Sequence, residues 1–67
     1  MADQEPYTAR QWAAWRARLG HSLTEASAAL GIGRRYYIRL EQGEKVGSQT
    51  LTLLAIALDT IRRNRPL

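Results

Sequence analysis

The first apolar pattern of the chain has the spacing of an amphipathic helix. Trp12, Trp15 and Leu19 stand at positions i, i+3 and i+7, so a helix brings them onto one face. A capping box precedes this pattern and a glycine follows it: Thr8 with Gln11, and Gly20. The sequence therefore predicts a first helix over about residues 9–19, buried along its tryptophan face.

A shorter helical pattern follows, again between a capping box and a glycine. Ser22 and Glu25 have the capping-box spacing, and Gly31 marks the end of a predicted helix over about residues 23–30. The residues expected on its buried face are Ala26, Ala29 and Leu30.

The third segment runs between two glycines and has two different sides. Gly33 is the predicted N-cap and Gly43 the C-terminal stop of a helix over about residues 34–42. At 100° per residue, the side expected to face the core holds Ile32, Tyr37 and Leu40. The side that projects away from the core holds three basic residues, Arg34, Arg35 and Arg39.

A fourth helix is predicted over about residues 49–62, with Ser48 as its cap. Its expected apolar stripe is Leu51, Leu54, Ala55, Leu58 and Ile61. Leu53 and Ile56 lie off this stripe and leave apolar surface that needs cover. No segment has the alternation of a strand, so the chain is predicted to be all-α.

Length and composition narrow the class of protein. A chain of 67 residues is one small domain, which buries about 60% of the surface of its unfolded chain. The sequence has no cysteine and one histidine, which excludes disulfides, thiolate metal sites and a histidine zinc cluster. No nucleophile stands beside a suitable base, so we expect no enzyme, no cofactor and no small-molecule ligand.

The expected organisation is a flexible arm over residues 1–6, one domain over residues 7–63 and a frayed end over residues 64–67. No apolar run is long enough to cross a membrane. The N-terminus lacks the basic and apolar regions of a signal peptide. An intracellular location is therefore expected.

The charge is unevenly distributed, with a net charge of +4. The basic residues cluster in the predicted third helix and at the C-terminus, where Arg62, Arg63 and Arg65 stand. Clustered arginines suit a polyanionic partner such as nucleic acid. The C-terminal cluster either complements the dipole of the fourth helix or contacts that partner. The central cluster is either ordinary solvated surface or aimed at DNA.

The second and third predicted helices form a helix-turn-helix, in which the second helix of the pair enters the major groove. Arginine recognises guanine through a bidentate pair of hydrogen bonds and also suits phosphate. The central arginines therefore stand where a DNA-binding protein of this kind contacts its target.

Motifs along most of the chain resemble a known family. They are W-R-A-R-L-G at 15–20, S-L-T-E-A-S-A-A-L-G-I-G-R-R at 22–35, I-R-L-E-Q-G at 38–43 and L-x-x-L-A-x-A-L at 51–58. Together they resemble the Cro/repressor, or XRE-type, helix-turn-helix family of phage and bacterial regulators. The resemblance implies a compact, lambda-repressor-like bundle of four to five helices that binds double-stranded DNA.

The resemblance also implies roles for individual residues. The family's chief base contacts come from the first, second and sixth residues of the third helix, which here are Arg34, Arg35 and Arg39. The family also pairs an arginine of the first helix with the glutamate near the end of the third, which implies a structural brace between Arg16 and Glu41.

Polar residues near these positions are expected to contact the DNA backbone or to support the contacts. These residues are Ser22, Tyr36, Gln42, Lys45, Ser48, Gln49 and Thr50. The family usually has a phosphate-binding glutamine where this chain has Leu23, and the expected substitute is either the Ser22 hydroxyl or the N-terminus of the second helix. Tyr36 is assigned equally to packing and to DNA contact.

The expected function is a sequence-specific transcription regulator, an autorepressor that binds an inverted-repeat operator as a homodimer. The candidate dimer patch is Leu53, Ile56 and Ile61, with Leu67 further along. Regulators of this kind include phage repressors, antitoxins and regulators of anti-CRISPR genes, which act at the nucleoid of a bacterial or phage-infected cell. The alternative is an antitoxin or adaptor whose main partner is another protein.

Overall fold

The computed structural model describes residues 4–64, and this part of the chain forms four α-helices with no strand. In chain order they are α1 (Ala9–Leu19), α2 (Leu23–Leu30), α3 (Arg34–Gln42) and α4 (Gln49–Asn64). The all-α prediction is confirmed, and so are the predicted bounds of the first three helices. Helix α4 continues two residues beyond its predicted end. Arg65 and Leu67 lie outside the described residues, as do the first three residues of the expected arm.

The two predicted capping boxes fix the starts of α1 and α2. Thr8 Oγ1 accepts a hydrogen bond from the Gln11 amide at 3.2 Å, and Gln11 Oε1 accepts one from the Thr8 amide at 2.8 Å. Ser22 and Glu25 make the same reciprocal pair at 3.1 and 2.8 Å. These bonds satisfy amides that the first turn of a helix otherwise leaves without partners.

The turn between α2 and α3 depends on a left-handed glycine. Gly31 has φ +70°, a conformation that costs a residue with a Cβ substantially more than it costs glycine. Its amide donates to Ala28 O, and the Ile32 amide donates back to Ser27 O at 3.0 Å. The chain thereby turns within residues 31–33, and these three residues separate the end of α2 from the start of α3.

Four fully buried large side chains from two helices form the centre of the core: Trp12, Trp15, Tyr37 and Leu40. The rings of Trp12 and Trp15 meet edge to face with centroids 5.8 Å apart, and Trp12 meets Tyr37 in the same way at 6.0 Å. Aromatic pairs favour this geometry because a positive ring edge faces a negative ring face. The aromatic residues thus join α1 to α3.

Hydrogen bonds from aromatic side chains tie the helices together at defined positions. Tyr37 Oη donates to the Trp12 carbonyl at 3.0 Å, and Trp15 Nε1 donates to the Ala55 carbonyl at 2.8 Å. Both bonds are buried, so each satisfies a polar group that would otherwise lose its water without compensation. They set where α3 and α4 lie along α1.

The buried face of α4 differs from the predicted stripe. Leu54 and Ile61 belong to the predicted apolar stripe, but they are 40% and 64% exposed. Thr52 and Asp59 are buried instead. Polar side chains can occupy these places because each has a partner: Thr52 Oγ1 accepts from the Tyr7 amide, and the Asp59 carboxylate accepts from arginines. The prediction was wrong because it assumed that only apolar residues would face the core.

Helix α2 also departs from its prediction at one residue. Ala29 is exposed, and Ser27 is buried in its stead beside Ala26 and Leu30. The Ser27 hydroxyl donates to the Thr24 carbonyl within the same helix at 3.0 Å. That bond satisfies the hydroxyl, so the small serine can replace an alanine at the interface with little penalty.

Two polar contacts join the C-terminal ends of α1 and α4, and a third lies within α4; we call the three contacts together the C-terminal clasp. Arg18 Nε lies 3.2 Å and Arg63 Nη2 3.3 Å from the same oxygen of Asp59. Arg62 Nη1 donates to the Leu19 carbonyl at 3.1 Å, which satisfies a carbonyl at the end of α1. Arg62 and Arg63 therefore have intramolecular partners within the fold.

Candidate nucleic-acid interface

Helix α3 is anchored along one side and open along the other. Tyr37 and Leu40 are fully buried, while Ile32 and Tyr36 are half-buried and pack against the core cluster. Because these anchors occupy one side of a nine-residue helix, the opposite side faces solvent. Helices α2 and α3 thus have the arrangement of a helix-turn-helix, with α3 in the place of the helix that enters the major groove.

The open side of α3 carries the three residues that we call the outer-face arginines: Arg34, Arg35 and Arg39. All three are exposed, and within residues 4–64 none of them makes a salt bridge or a side-chain hydrogen bond. Arg35 and Arg39 are four residues apart, so their side chains emerge as neighbours on the same face. Their guanidinium donors are therefore available to a ligand.

Helix α3 is held to α1 by a bidentate ion pair. Arg16 Nε lies 2.6 Å from Glu41 Oε2, and Arg16 Nη2 donates to Glu41 Oε1 at 3.0 Å. The parallel fork of two charge-assisted hydrogen bonds fixes both distance and orientation. Burial would raise the pKa of Glu41, but the hydrogen bonds and charge of Arg16 outweigh it, so this pKa lies below its usual value.

Tyr36 lies at the boundary between the anchored and the open side of α3. Its ring is half-buried and packs against the core cluster. The ammonium nitrogen of Lys45 lies 5.6 Å from the centroid of this ring, within the range of a cation–π contact. Tyr36 therefore combines a packing role with a contact to a cation on the loop after α3.

The loop between α3 and α4 is fixed by its backbone. The amides of Glu44 and Lys45 both donate to the Arg39 carbonyl, at 3.0 and 3.4 Å. Gly47 is buried so closely that an added Cβ would lie 3.3 Å from the side chains of Leu40 and Leu51. The loop thus lies against the core, directly after the helix that carries the outer-face arginines.

The remaining polar residues of the predicted interface divide into caps and open side chains. Ser22 Oγ and Ser48 Oγ accept hydrogen bonds from the Glu25 and Leu51 amides, so both serines act as N-caps. Their hydroxyls each retain a proton to donate. The side chains that are simply exposed beside them belong to Gln42, Gln49 and Thr50.

Apolar side chains face solvent on α4 and on the loop before it. In the predicted dimer patch, Leu53 and Ile61 are 49% and 64% exposed, while Ile56 is half-buried. The sequence interpretation missed Leu54, which is exposed beside them, and Val46 in the loop. Exposed aliphatic side chains that lie together mark a candidate interface, and Leu54 was missed because its spacing fitted the core stripe.

The four-helix fold and the outer-face arginines of α3 define a DNA-binding domain of the helix-turn-helix class. A profile of the helix-turn-helix family matches residues 13–62, which is most of the chain. The chain therefore belongs to the XRE-type helix-turn-helix family of DNA-binding transcription regulators. Comparison with curated proteins and comparison with solved structures each gave no match. Within residues 4–64, every helix is too short or too polar to cross a membrane.

Proposed function

We propose that the protein is a sequence-specific repressor that recognises its operator through α3. The supporting observation is the contrast on this helix between an anchored inner side and the outer-face arginines, which have no side-chain partner within residues 4–64. Each guanidinium can donate two parallel hydrogen bonds to O6 and N7 of a guanine. The ion pair between Arg16 and Glu41 limits the motion of α3, so little order has to be gained when these contacts form.

The DNA backbone is the proposed target of polar groups around α3. These groups are the side chains of Ser22, Gln42, Lys45, Ser48, Gln49 and Thr50. Contacts of this kind set register and orientation, whereas base contacts carry sequence preference. Residues 7–63 form the DNA-binding domain in this proposal, and control of its own operon by protein concentration is the proposed mode of regulation.

The proposed active species is a homodimer on an inverted repeat. Leu53, Leu54 and Ile61 lie on one side of α4 together with uncharged residues, and Ile56 borders them. A face without charges can pair with its own copy without like-charge repulsion, even on a chain with net charge +4. Two-fold pairing doubles the base contacts and places half-sites about one helical turn apart.

Selection of bound duplexes from a random pool tests operator recognition most directly. We expect a recovered site with two inverted halves whose centres lie about 10 bp apart or a multiple of that distance. Guanines should dominate the positions facing α3 because the outer-face side chains are arginines. Recovery of random sequence would contradict specific recognition, and recovery of single half-sites would contradict the dimer.

A charge on α4 tests the dimer surface. Leu53→Glu should give monomers in light scattering and weaker operator binding, since burial of an unpaired carboxylate in an apolar interface is costly. Ala14→Glu adds the same charge at an exposed position of α1 and serves as the matched control. If the Leu53→Glu protein stays dimeric, the dimer interface does not lie on this side of α4.

The exposed aliphatic surface of α4 also supports a second function, an antitoxin or adaptor that binds another protein. Salt dependence distinguishes the two. A DNA-binding protein with about 6–10 phosphate contacts should lose about 10³–10⁵ in affinity between 50 and 200 mM salt. An adaptor would bind no duplex tightly at either salt concentration.

A further inference from the structure

Lys45 has a contact at each end, one through its backbone amide and one through its ammonium group. The Lys45 amide is bonded to the Arg39 carbonyl, and its ammonium group lies over the Tyr36 ring. Two residues further on, the buried Gly47 lies against the side chains of Leu40 and Leu51, so the loop packs closely on the core. An exposed lysine normally samples many rotamers, whereas this one has a defined position beside α3.

The geometry of the pair leaves the ammonium group able to bind an anion. A cation–π contact engages one side of the ammonium group, and a lysine carries three N–H donors. The two acidic residues nearest in sequence do not compete for it: Glu41 is bonded to Arg16, and within residues 4–64 Glu44 forms no salt bridge. Lys45 is exposed and lies two residues beyond Gly43, the C-cap of α3, so its charge is open to a ligand.

We propose that Tyr36 is a positioning residue for DNA binding, which holds the ammonium group of Lys45 ready for one phosphate beside the base that Arg39 contacts. This inference rests on the proposed function, because it requires α3 to lie in the major groove. The Tyr36 hydroxyl does not contact DNA in this proposal, and the ring acts only through Lys45. A phosphate is the target because Lys45 follows α3 and shares the Arg39 carbonyl, outside the helix that enters the groove.

Salt dependence of binding, measured on the variants of this pair, tests the proposal. The proteins are wild type, Lys45→Gln, Tyr36→Leu, Tyr36→Phe and the double variant Tyr36→Leu/Lys45→Gln. The probe is the duplex recovered by the selection, titrated from 50 to 200 mM salt. Loss of one phosphate contact lowers the slope of log K against log salt by about 0.9 in magnitude. Across this range, that change corresponds to about a three- to four-fold smaller loss of affinity.

The expected pattern is specific to a positioning role. Lys45→Gln and Tyr36→Leu should each lower the slope by about 0.9, and the double variant should lower it no further. Tyr36→Phe keeps the ring and should bind as wild type does. Arg63→Gln removes the same charge in the C-terminal clasp and is the control. In a further double variant, Tyr36→Leu/Arg63→Gln, the two effects should add rather than coincide.

Two outcomes would overturn the proposal. If Tyr36→Phe weakens binding as much as Tyr36→Leu, the hydroxyl contacts DNA itself. If Tyr36→Leu keeps the wild-type slope, the tyrosine only packs against the core. Both results require that the wild-type protein binds the duplex with a steep salt slope. If the proposed function itself is wrong, the wild-type protein binds no duplex, so the two failures can be told apart. Circular dichroism of each variant checks that α3 is still folded.

Discussion

The outer-face arginines of α3 and four arginines of the other helices have different surroundings, although they are the same residue type. The outer-face arginines have no intramolecular partner within the described part of the chain. Four others are bonded to a carboxylate or a helix carbonyl: Arg16, Arg18, Arg62 and Arg63. We call these four the paired arginines. Arg10 of α1, which is exposed and makes no salt bridge within residues 4–64, belongs to neither group. Removal of a paired arginine takes a donor away from its acceptor, whereas removal of an outer-face arginine breaks no side-chain bond within residues 4–64.

This difference shows that the density of positive charge along a sequence does not by itself locate a DNA surface. The sequence has a central and a C-terminal basic cluster, and for the second the sequence left open whether it complements the dipole of α4 or contacts nucleic acid. In the fold, Arg62 and Arg63 belong to the C-terminal clasp, where Asp59 and the Leu19 carbonyl receive their hydrogen bonds. The buried acceptor, rather than the number of arginines, separates a structural cluster from one that is open to a ligand.

The largest effect is expected where an arginine is paired with a nearly buried carboxylate. Arg16→Ala should lower the free energy of unfolding by about 2–3 kcal/mol, because Glu41 loses two charge-assisted hydrogen bonds. Urea denaturation followed by circular dichroism measures the change. Arg35→Ala is the matched control and should alter the free energy of unfolding by less than about 0.5 kcal/mol. If both variants lost the same free energy of unfolding, the paired and the outer-face arginines would not differ in their structural role.

The outer-face arginines should have the opposite profile. Arg35→Ala or Arg39→Ala should each reduce discrimination at one base pair by about 1–3 kcal/mol while the protein unfolds as wild type does. Binding to a set of operators with single base-pair changes measures this loss. Arg63→Ala is the control and should leave the ranking of the operators intact. Loss of affinity that is uniform across all of them would assign the α3 arginine to phosphate instead.

Acid should weaken the ion pair of α3 without any mutation. The pKa of Glu41 is lowered from 4.5, so its contribution to stability is complete above that value and is lost as the pH falls through the lower, folded-state value. The effect should be smaller than that of Arg16→Ala, because only the charge of Glu41 is removed. Unfolding curves from pH 7 to pH 3 measure it.

Glu41→Gln is the control for this pH dependence and should flatten much of it. Some dependence should persist, because the pKa of Glu25 is also lowered, chiefly by its hydrogen bond from the Ser22 amide. A Glu41→Gln protein with the full wild-type pH dependence would show that the titrating carboxylate lies elsewhere.

The smallest effect concerns the start of α3, which lacks the side-chain cap found on α1 and α2. Gly33 has an ordinary extended backbone, and an added Cβ would meet no atom within 4 Å. Gly33→Ser should therefore supply a cap and stabilise the fold by a few tenths of a kcal/mol. The urea midpoint of each variant measures the change. Gly33→Ala is the control, because alanine adds a Cβ but has no side-chain oxygen that could cap the helix. A destabilised serine variant would show that the position tolerates no side chain.

Local signals were enough to predict the helices, because each start and stop is encoded within a few residues. The capping boxes at Thr8 and Ser22 and the glycines after α1, α2 and α3 act over three or four positions. The buried face of α4 could not be predicted in this way. Thr52 and Asp59 are buried through partners 45 and 41 residues away, and no pattern of apolar residues within α4 contains that information.

The candidate interface was predictable in part for a similar reason. A helical wheel of α3 separates its arginines from its core residues, and drawing it requires no knowledge of the other helices. The pairing of Arg16 with Glu41 was expected from the family resemblance. The contact of Lys45 with Tyr36 could not be foreseen, because it depends on the path of the loop after Gly43. Which bases the outer-face arginines contact stays a prediction.

The placement of both tryptophans in the core has a practical consequence for optical measurements. Trp12 and Trp15 are the only tryptophans of the chain, and both are completely shielded from solvent. Buried indoles emit at shorter wavelength than indoles in water, so unfolding should shift the emission to the red. DNA bound along α3 touches neither ring and should leave the emission wavelength in place. The protein therefore carries an internal fluorophore that reports folding separately from binding, with no added label.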